Sequence, residues 1–136
     1  MRRAALLLAT TVAVTLAAGW LFWSTPSPAG PERFTGVGAQ YSTEITLNNA
    51  ASGVVDADIL VTGLKRRPRT IEAVWLSAVM PEMGHATPEI PAQQRETGRF
   101  QARGELFTMP GVWELAIRVQ GTGGTELITV NVLVER

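Results

Sequence analysis

The spacing of apolar and polar positions changes character once along the chain. From Ala4 to Trp23, twenty consecutive residues carry no charge, and Leu6, Leu7, Leu8, Val12, Val14 and Leu16 give the stretch its apolar frame. Twenty residues of helix, at about 1.5 Å each, cover the hydrocarbon core of a bilayer. Beyond residue 39 the pattern alternates. Tyr41, Thr43, Ile45 and Leu47 fall on one side, with Ser42, Glu44 and Thr46 on the other. A period of two marks a strand with one buried face. The same reading predicts strands over residues 55–61, 71–79, 99–107, 112–119 and 127–134. Turn-rich stretches separate them at Asn48-Asn49, Gly63, residues 88–98, Pro110-Gly111 and residues 121–124.

After the leader no window repeats its apolar residues at helical spacing, so the expected class is all-β. Short strands, evenly spaced over about a hundred residues, point to an immunoglobulin-like antiparallel β-sandwich behind one N-terminal transmembrane helix. The inward faces should come from Ile45, Leu47, Ile59, Val61, Val74, Leu76, Phe100, Leu106, Trp113, Leu115, Ile117, Ile128, Val130 and Val132. The chain then divides into an anchor over residues 1–23, a Pro/Ser/Gly spacer over 24–38 and a sandwich domain over 39–136. Such a domain is large enough to bury a core without disulfides or a structural metal.

Arg2 and Arg3 precede the apolar stretch and no basic residue follows it closely, so the positive-inside rule leaves the N-terminus in the cytoplasm. The domain is therefore expected on the extracytoplasmic side of the cytoplasmic membrane, held by a single pass. The stretch is longer than the apolar region of a secretory signal, and Trp20, Phe22 and Trp23 end it like an interfacial belt, which favours a retained anchor. Ser27-Pro28-Ala29 keeps cleavage open as the alternative. Pro26, Pro28 and Pro31 make the following residues a semi-extended spacer.

Charge and composition remove several function classes. Twelve Lys and Arg balance twelve Asp and Glu, and taking Arg2 and Arg3 away with the leader leaves ten against twelve. No basic excess suggests nucleic acid. Cysteine is absent, which excludes disulfides, thiolate metal sites and thiol nucleophiles. No nucleophile, phosphate-loop or dinucleotide motif is present, and the expected role is not enzymatic. Lys65, Arg66, Arg67 and Arg69 form a basic run beside Gly63 and Pro68, read as a solvated turn between strands.

What carries chemistry is a cluster of soft donors. Met80, Met83 and His85 lie within Met80-Pro81-Glu82-Met83-Gly84-His85, and Met109 precedes a second turn at Pro110-Gly111. Both segments fall at ends of predicted strands, so an antiparallel arrangement can gather them at one rim. Thioether sulfur and imidazole nitrogen suit copper(I), whereas magnesium and calcium prefer oxygen and zinc prefers thiolate, imidazole or carboxylate. Thioethers also form no disulfides in an oxidising compartment. Against this stands methionine as an adaptable core filler. Met83 and His85, in a Pro/Gly-bounded loop, lack the periodicity of core positions. Glu82 is placed to tune the charge near His85.

These residues resemble a family. Met80-Pro81-Glu82-Met83-Gly84-His85, then Gly98-Arg99-Phe100, then Met109-Pro110-Gly111-Val112-Trp113 are similar to the recurring motifs of YtkA-like and FixH-like extracytoplasmic domains, over roughly residue 53 to the C-terminus. The resemblance implies an immunoglobulin-like sandwich, bacterial origin and a part in copper handling, with FixH-type members linked to assembly of copper-containing respiratory oxidase. Carried over by position, it implies Met83 and His85 as primary copper(I) ligands, completed by Met80 and Met109. The expected function is copper delivery or buffering for a membrane cuproenzyme or a resistance system. The alternative is a metal-free interaction or assembly module for a membrane complex.

Overall fold

Alternating burial, the property read from the sequence, recurs in the long strands of the computed structural model, which describes residues 30–64 and 70–135. The ten strands are β1 (Glu32–Val37), β2 (Tyr41–Leu47), β3 (Gly53–Gly63), β4 (Ile71–Met80), β5 (His85–Ala86), β6 (Ile90–Pro91), β7 (Gln93–Glu96), β8 (Arg99–Phe107), β9 (Gly111–Gly121) and β10 (Gly124–Val134). In β2 the buried positions are Tyr41, Thr43, Ile45 and Leu47, the side the alternation selected. The anchor, most of the spacer and the basic run at 65–69 lie outside the described residues. Among the described residues no helix is long and apolar enough to cross a membrane.

The strands form two antiparallel sheets, one in the order β1-β2-β3-β8-β7 and the other β10-β9-β4-β5, with β6 also pairing β4. Their inner faces meet in a single core that includes Tyr41, Ile45, Ile59 and Phe107 from the first sheet and Leu76, Trp113, Leu115 and Ile117 from the second. Each large apolar side chain removed from water there contributes about 1.5–3 kcal/mol before the entropic cost of ordering. The expected inward residues are buried apart from Val130, which is only partly covered and packs against the core from its margin.

Four strands escaped the pattern. Residues 32–37, assigned to the spacer, form β1, which pairs with β2 from Glu32↔Leu47 to Val37↔Ser42. Its inward positions hold only one bulky apolar residue, Phe34. Gly36 must be small because a Cβ there would meet Ile128 Cγ2 at 2.5 Å. A strand that packs through a glycine offers no apolar alternation to detect. β5 and β6 have two residues each and β7 is exposed along its length, so none presents a period.

The register assigns the ends of the long strands to two poles. Glu32 pairs with Leu47, Gly53 with Phe107, and Val134 with Gly111, so β1, β3 and β9 begin where β2, β8 and β10 end. The end of β4 joins this pole, since Val79 pairs with Glu114 near the start of β9. An isolated bridge, Ala51↔Glu135, ties the loop after β2 to the end of β10 at the same pole. At the opposite pole the Glu126 carboxylate accepts hydrogen bonds from three consecutive backbone N–H groups, those of Ala39, Gln40 and Tyr41, at 3.1 Å and 3.0 Å for the last two. This bond set joins the β1–β2 turn of one sheet to β10 of the other.

Glu126 accepts from three consecutive backbone donors, and its loss removes that acceptor from all three. Glu126→Ala should lower the unfolding free energy by about 1–3 kcal/mol in urea titration. Glu126→Gln, which keeps one carbonyl oxygen, should cost less.

Candidate metal centre

Met80 is the last inward position of β4, following Val74, Leu76 and Ala78 in strict alternation, and only 4% of it is exposed. By periodicity it is thus a core residue as well as a member of the cluster. The chain then reverses: Met83 N–H donates to the Met80 carbonyl at 3.2 Å and Gly84 N–H to the Pro81 carbonyl at 3.4 Å. Gly84 has φ of +62°, a left-handed conformation that side-chain-bearing residues adopt at a cost. That reversal brings His85 into register directly opposite Met80 in the β4–β5 pair. Opposed residues in such a ladder have Cα atoms about 4.5–5.5 Å apart. Met83, at the apex of the turn, is 67% exposed, and His85 is exposed as well.

The loop is held from behind by a residue that sequence reasoning did not single out. Thr87 is buried; its N–H and hydroxyl donate to the Ala78 carbonyl at 2.9 Å and 3.2 Å, and its Oγ1 accepts the Ala78 N–H at 3.0 Å. The side chain thereby supplies an acceptor that a ladder partner would otherwise give. Farther along, the Glu89 carboxylate takes a two-point hydrogen bond from Arg118, at 2.8 Å and 2.6 Å. The same guanidinium lies 3.8 Å from the centroid of the Trp75 ring, a cation–π contact. Thr87 and Glu89 fix where the segment after His85 runs. Neither has a periodic or motif signal, because each acts through one specific partner: Thr87 through Ala78 across the reversal and Glu89 through the distant Arg118.

Met109 arrives from the other sheet. It sits in the three-residue connection between β8 and β9, partly buried against the core. Trp113, fully buried, donates its Nε1–H to the Met109 carbonyl at 3.0 Å, and its ring stands edge-on to the His85 ring at 6.0 Å and 77°. On its inner side it packs against Phe107 at 5.8 Å. Gly111 completes the link: with φ of +141°, it leaves open the space where a Cβ would come within 2.8 Å of Met80 Cε. The first and third motifs therefore meet at one pole, Met80 against Gly111 and His85 against Trp113. Met80 is buried and Met109 half-buried, while Met83 and His85 are exposed.

The second motif lies elsewhere. Gly98, with φ of +74°, turns the chain from β7 into β8 and its carbonyl accepts the Val61 N–H at 2.8 Å, while Phe100 enters the core. Arg99 is exposed and pairs with Glu96 at 3.7 Å. These residues build a turn and a core strand and do not reach the Met/His pole.

Among the described residues no group of three or more His, Cys, Asp or Glu comes together. Thioether and imidazole are the donors that the Met/His pole offers. A surface depression of about 410 Å³ lies on the outer face of the first sheet, with Arg33, Glu44, Asp58 and Arg99 in its lining, and includes none of Met80, Met83, His85 and Met109. Two of its charges, Arg33 and Glu44, pair with each other at 3.1 Å. Comparison of the chain with protein-family profiles, with curated proteins and with solved structures finds no match.

The hydrogen bond from Arg118 holds the Glu89 carboxyl below the usual carboxylate range. A carboxyl more acidic when folded than when unfolded adds stability in full above that range and loses it as pH falls through the Glu89 value. The pair is largely exposed, so the contribution is small. Denaturation midpoints measured from neutral to acidic pH should fall less steeply for Glu89→Gln than for the parent chain, and should agree in slope above the carboxylate range.

Proposed function

We propose that this chain is an extracytoplasmic, membrane-anchored copper(I)-binding protein of immunoglobulin-like fold, related to the YtkA-like and FixH-like domains, that delivers or buffers the ion for a membrane cuproenzyme or a resistance system. The observation that carries this reading is the meeting at one pole of Met80, Met83 and His85, within one chain reversal, with Met109, tied to them through Trp113. Strand order supports the fold assignment: β2-β3-β8-β7 corresponds to A-B-E-D of an immunoglobulin sandwich, and β10-β9-β4-β5 to G-F-C-C′.

Three thioethers and one imidazole form a neutral donor set matched to a soft monovalent ion. The division of that set into inward and outward members suits transfer. Met80 and Met109, held by the core, supply a fixed floor, whereas Met83 and His85 stand where an acceptor's ligands replace them one at a time. Trp113 acts behind the donors, orienting the His85 ring and the Met109 backbone. The role is binding and exchange, without catalysis. The exposure of Met83, 67%, beside exposed Val112 and Leu133 also suits a metal-free contact surface.

Competitive titration of the chain with copper(I) against a chromophoric chelator separates the two readings. Copper binding predicts one equivalent bound and displaced methyl resonances for Met80, Met83 and Met109. A chain that leaves the chelator saturated and its methionine methyl resonances unmoved is not a copper carrier.

Met83→Ala and His85→Ala should each weaken binding far more than Glu82→Ala, and equal effects would remove these two residues as ligands. Trp113→Phe, which keeps an aromatic wedge and loses the N–H to Met109, should weaken binding about 10–100-fold, the usual cost of disturbing a group behind the ligands. Circular dichroism on the same variant checks that the fold persists.

A further inference from the structure

The outermost strands of a sheet present backbone N–H and C=O groups without ladder partners, and folded chains blunt such edges with brevity, charge or proline. Most edges of these two sheets are blunted. β1 has six residues and carries Glu32 and Arg33, β7 has four with Arg95 and Glu96, and β5 and β6 have two each, with Pro91 in β6. β10 uses none of these devices. It runs for eleven residues as an outer strand of the second sheet, and from Leu127 to Val134 it contains neither charge nor proline.

The direction of its backbone groups follows from the neighbouring strands. Ala78 N–H and C=O bond to Thr87, and the Val74 carbonyl accepts from Ala92 N–H, so even-numbered residues of β4 point away from β9 and odd-numbered ones toward it. Carried through the registers Trp75↔Arg118 and Ile117↔Ile128, the alternation directs the N–H and C=O of Leu127, Thr129, Asn131 and Leu133 at the open edge of β10. Their side chains are exposed on the outer face of the sheet, Leu127 by 60% and Leu133 by 57%. Glu135, the next position of that set, is bridged to Ala51, which ends the open edge at Leu133.

This edge is complementary to itself. Antiparallel pairing of β10 with β10 of a second copy about Val130 sets Leu127 opposite Leu133 of the copy and Thr129 opposite its Asn131, apolar against apolar and polar against polar. These are the residues whose backbone groups face the edge, so each pair exchanges hydrogen bonds in both directions. No like charges are opposed, since Glu126 falls opposite Val134. A shift by one residue sets edge-directed groups against groups already bonded to β9, and a further shift sets each leucine opposite a polar residue.

We propose that β10 is a self-association edge, through which two copies of this chain pair antiparallel about Val130 into one continuous sheet. The two-fold pairing consumes the open edge of both copies and leaves only blunted edges outside, so it closes at a dimer. The end of β10 lies at the Met/His pole, where Val134 pairs with Gly111, so the two Met/His poles fall at opposite ends of the dimer. The inference does not depend on the copper reading.

Sedimentation of the full chain in excess detergent micelles, from micromolar to millimolar protein, should show a monomer–dimer equilibrium. Leu127→Lys with Leu133→Lys opposes like charges at the leucine pairs and should weaken the dimer by at least about tenfold, whereas Leu127→Glu with Leu133→Lys opposes unlike charges and should restore it. Both leucines are exposed, and circular dichroism checks that the variants fold. The two variants differ only at position 127, so a difference between them reports this edge and not the apolar N-terminal stretch. A chain that stays monomeric throughout, or equal association of the two variants, overturns the inference and leaves the edge to a strand of another protein. Association beyond a dimer overturns it as well. The chain has no cysteine of its own, so spin labels read the register without altering the leucines. Labels at Thr125→Cys should lie about 35 Å apart, about ten residues along the paired strands, and labels at Asn131→Cys within about 10 Å. Equal separations at the two positions overturn the antiparallel pairing.

Discussion

Trp113 is the wedge on which the Met/His pole depends. Its ring is fully buried against Phe107, its Nε1–H donates to the Met109 carbonyl, and its edge supports the His85 ring. A buried indole N–H needs a partner, because leaving it without one costs about 1–3 kcal/mol. The backbone of the β8–β9 connection supplies that partner, so burial of one large side chain in the core dictates where Met109 lies. The same ring fixes the approach of a loop that belongs to a different part of the sequence. Core packing and site geometry are here one set of contacts.

The pole is correspondingly uneven in order. The loop that carries His85 is secured at Thr87 by three hydrogen bonds to Ala78 and beyond it by the Glu89–Arg118 pair stacked on Trp75. Met80 is locked in the core beside a glycine that makes room for it. Met83, at the turn apex, has few such restraints on its side chain and stands in solvent. For the proposed exchange of copper(I), a rigid inner pair with a free outer donor keeps part of the coordination ordered in advance while one ligand remains free to move.

Most of the fold was legible in the sequence where a strand buries one face in a thick core. The strands from β2 to β4 and from β8 to β10 all show the period of two, and their predicted inward residues are buried with Val130 as the partly covered exception. β1 was not legible because its most buried inward position is Gly36, made small by Ile128 from the other sheet. β5, β6 and β7 were not legible because two to four residues carry no period. In the Met/His cluster, the residue types and their spacing were visible at once, as was the expectation that both segments sit at strand ends. Thr87, Glu89 and the wedge role of Trp113 were not, since each depends on a specific partner that only the folded register brings within reach.

By itself the sequence determined the all-β class, the inward faces of the long strands and the soft character of the donors, because side-chain alternation and ligand chemistry are local properties. Tertiary structure alone decided that Met109 and His85 meet on one indole, that Met80 belongs to the core as well as to the cluster, and that the chain enters at their pole. Those facts depend on which strand pairs with which and in what register, and register is set by packing between the two sheets, which no single segment contains.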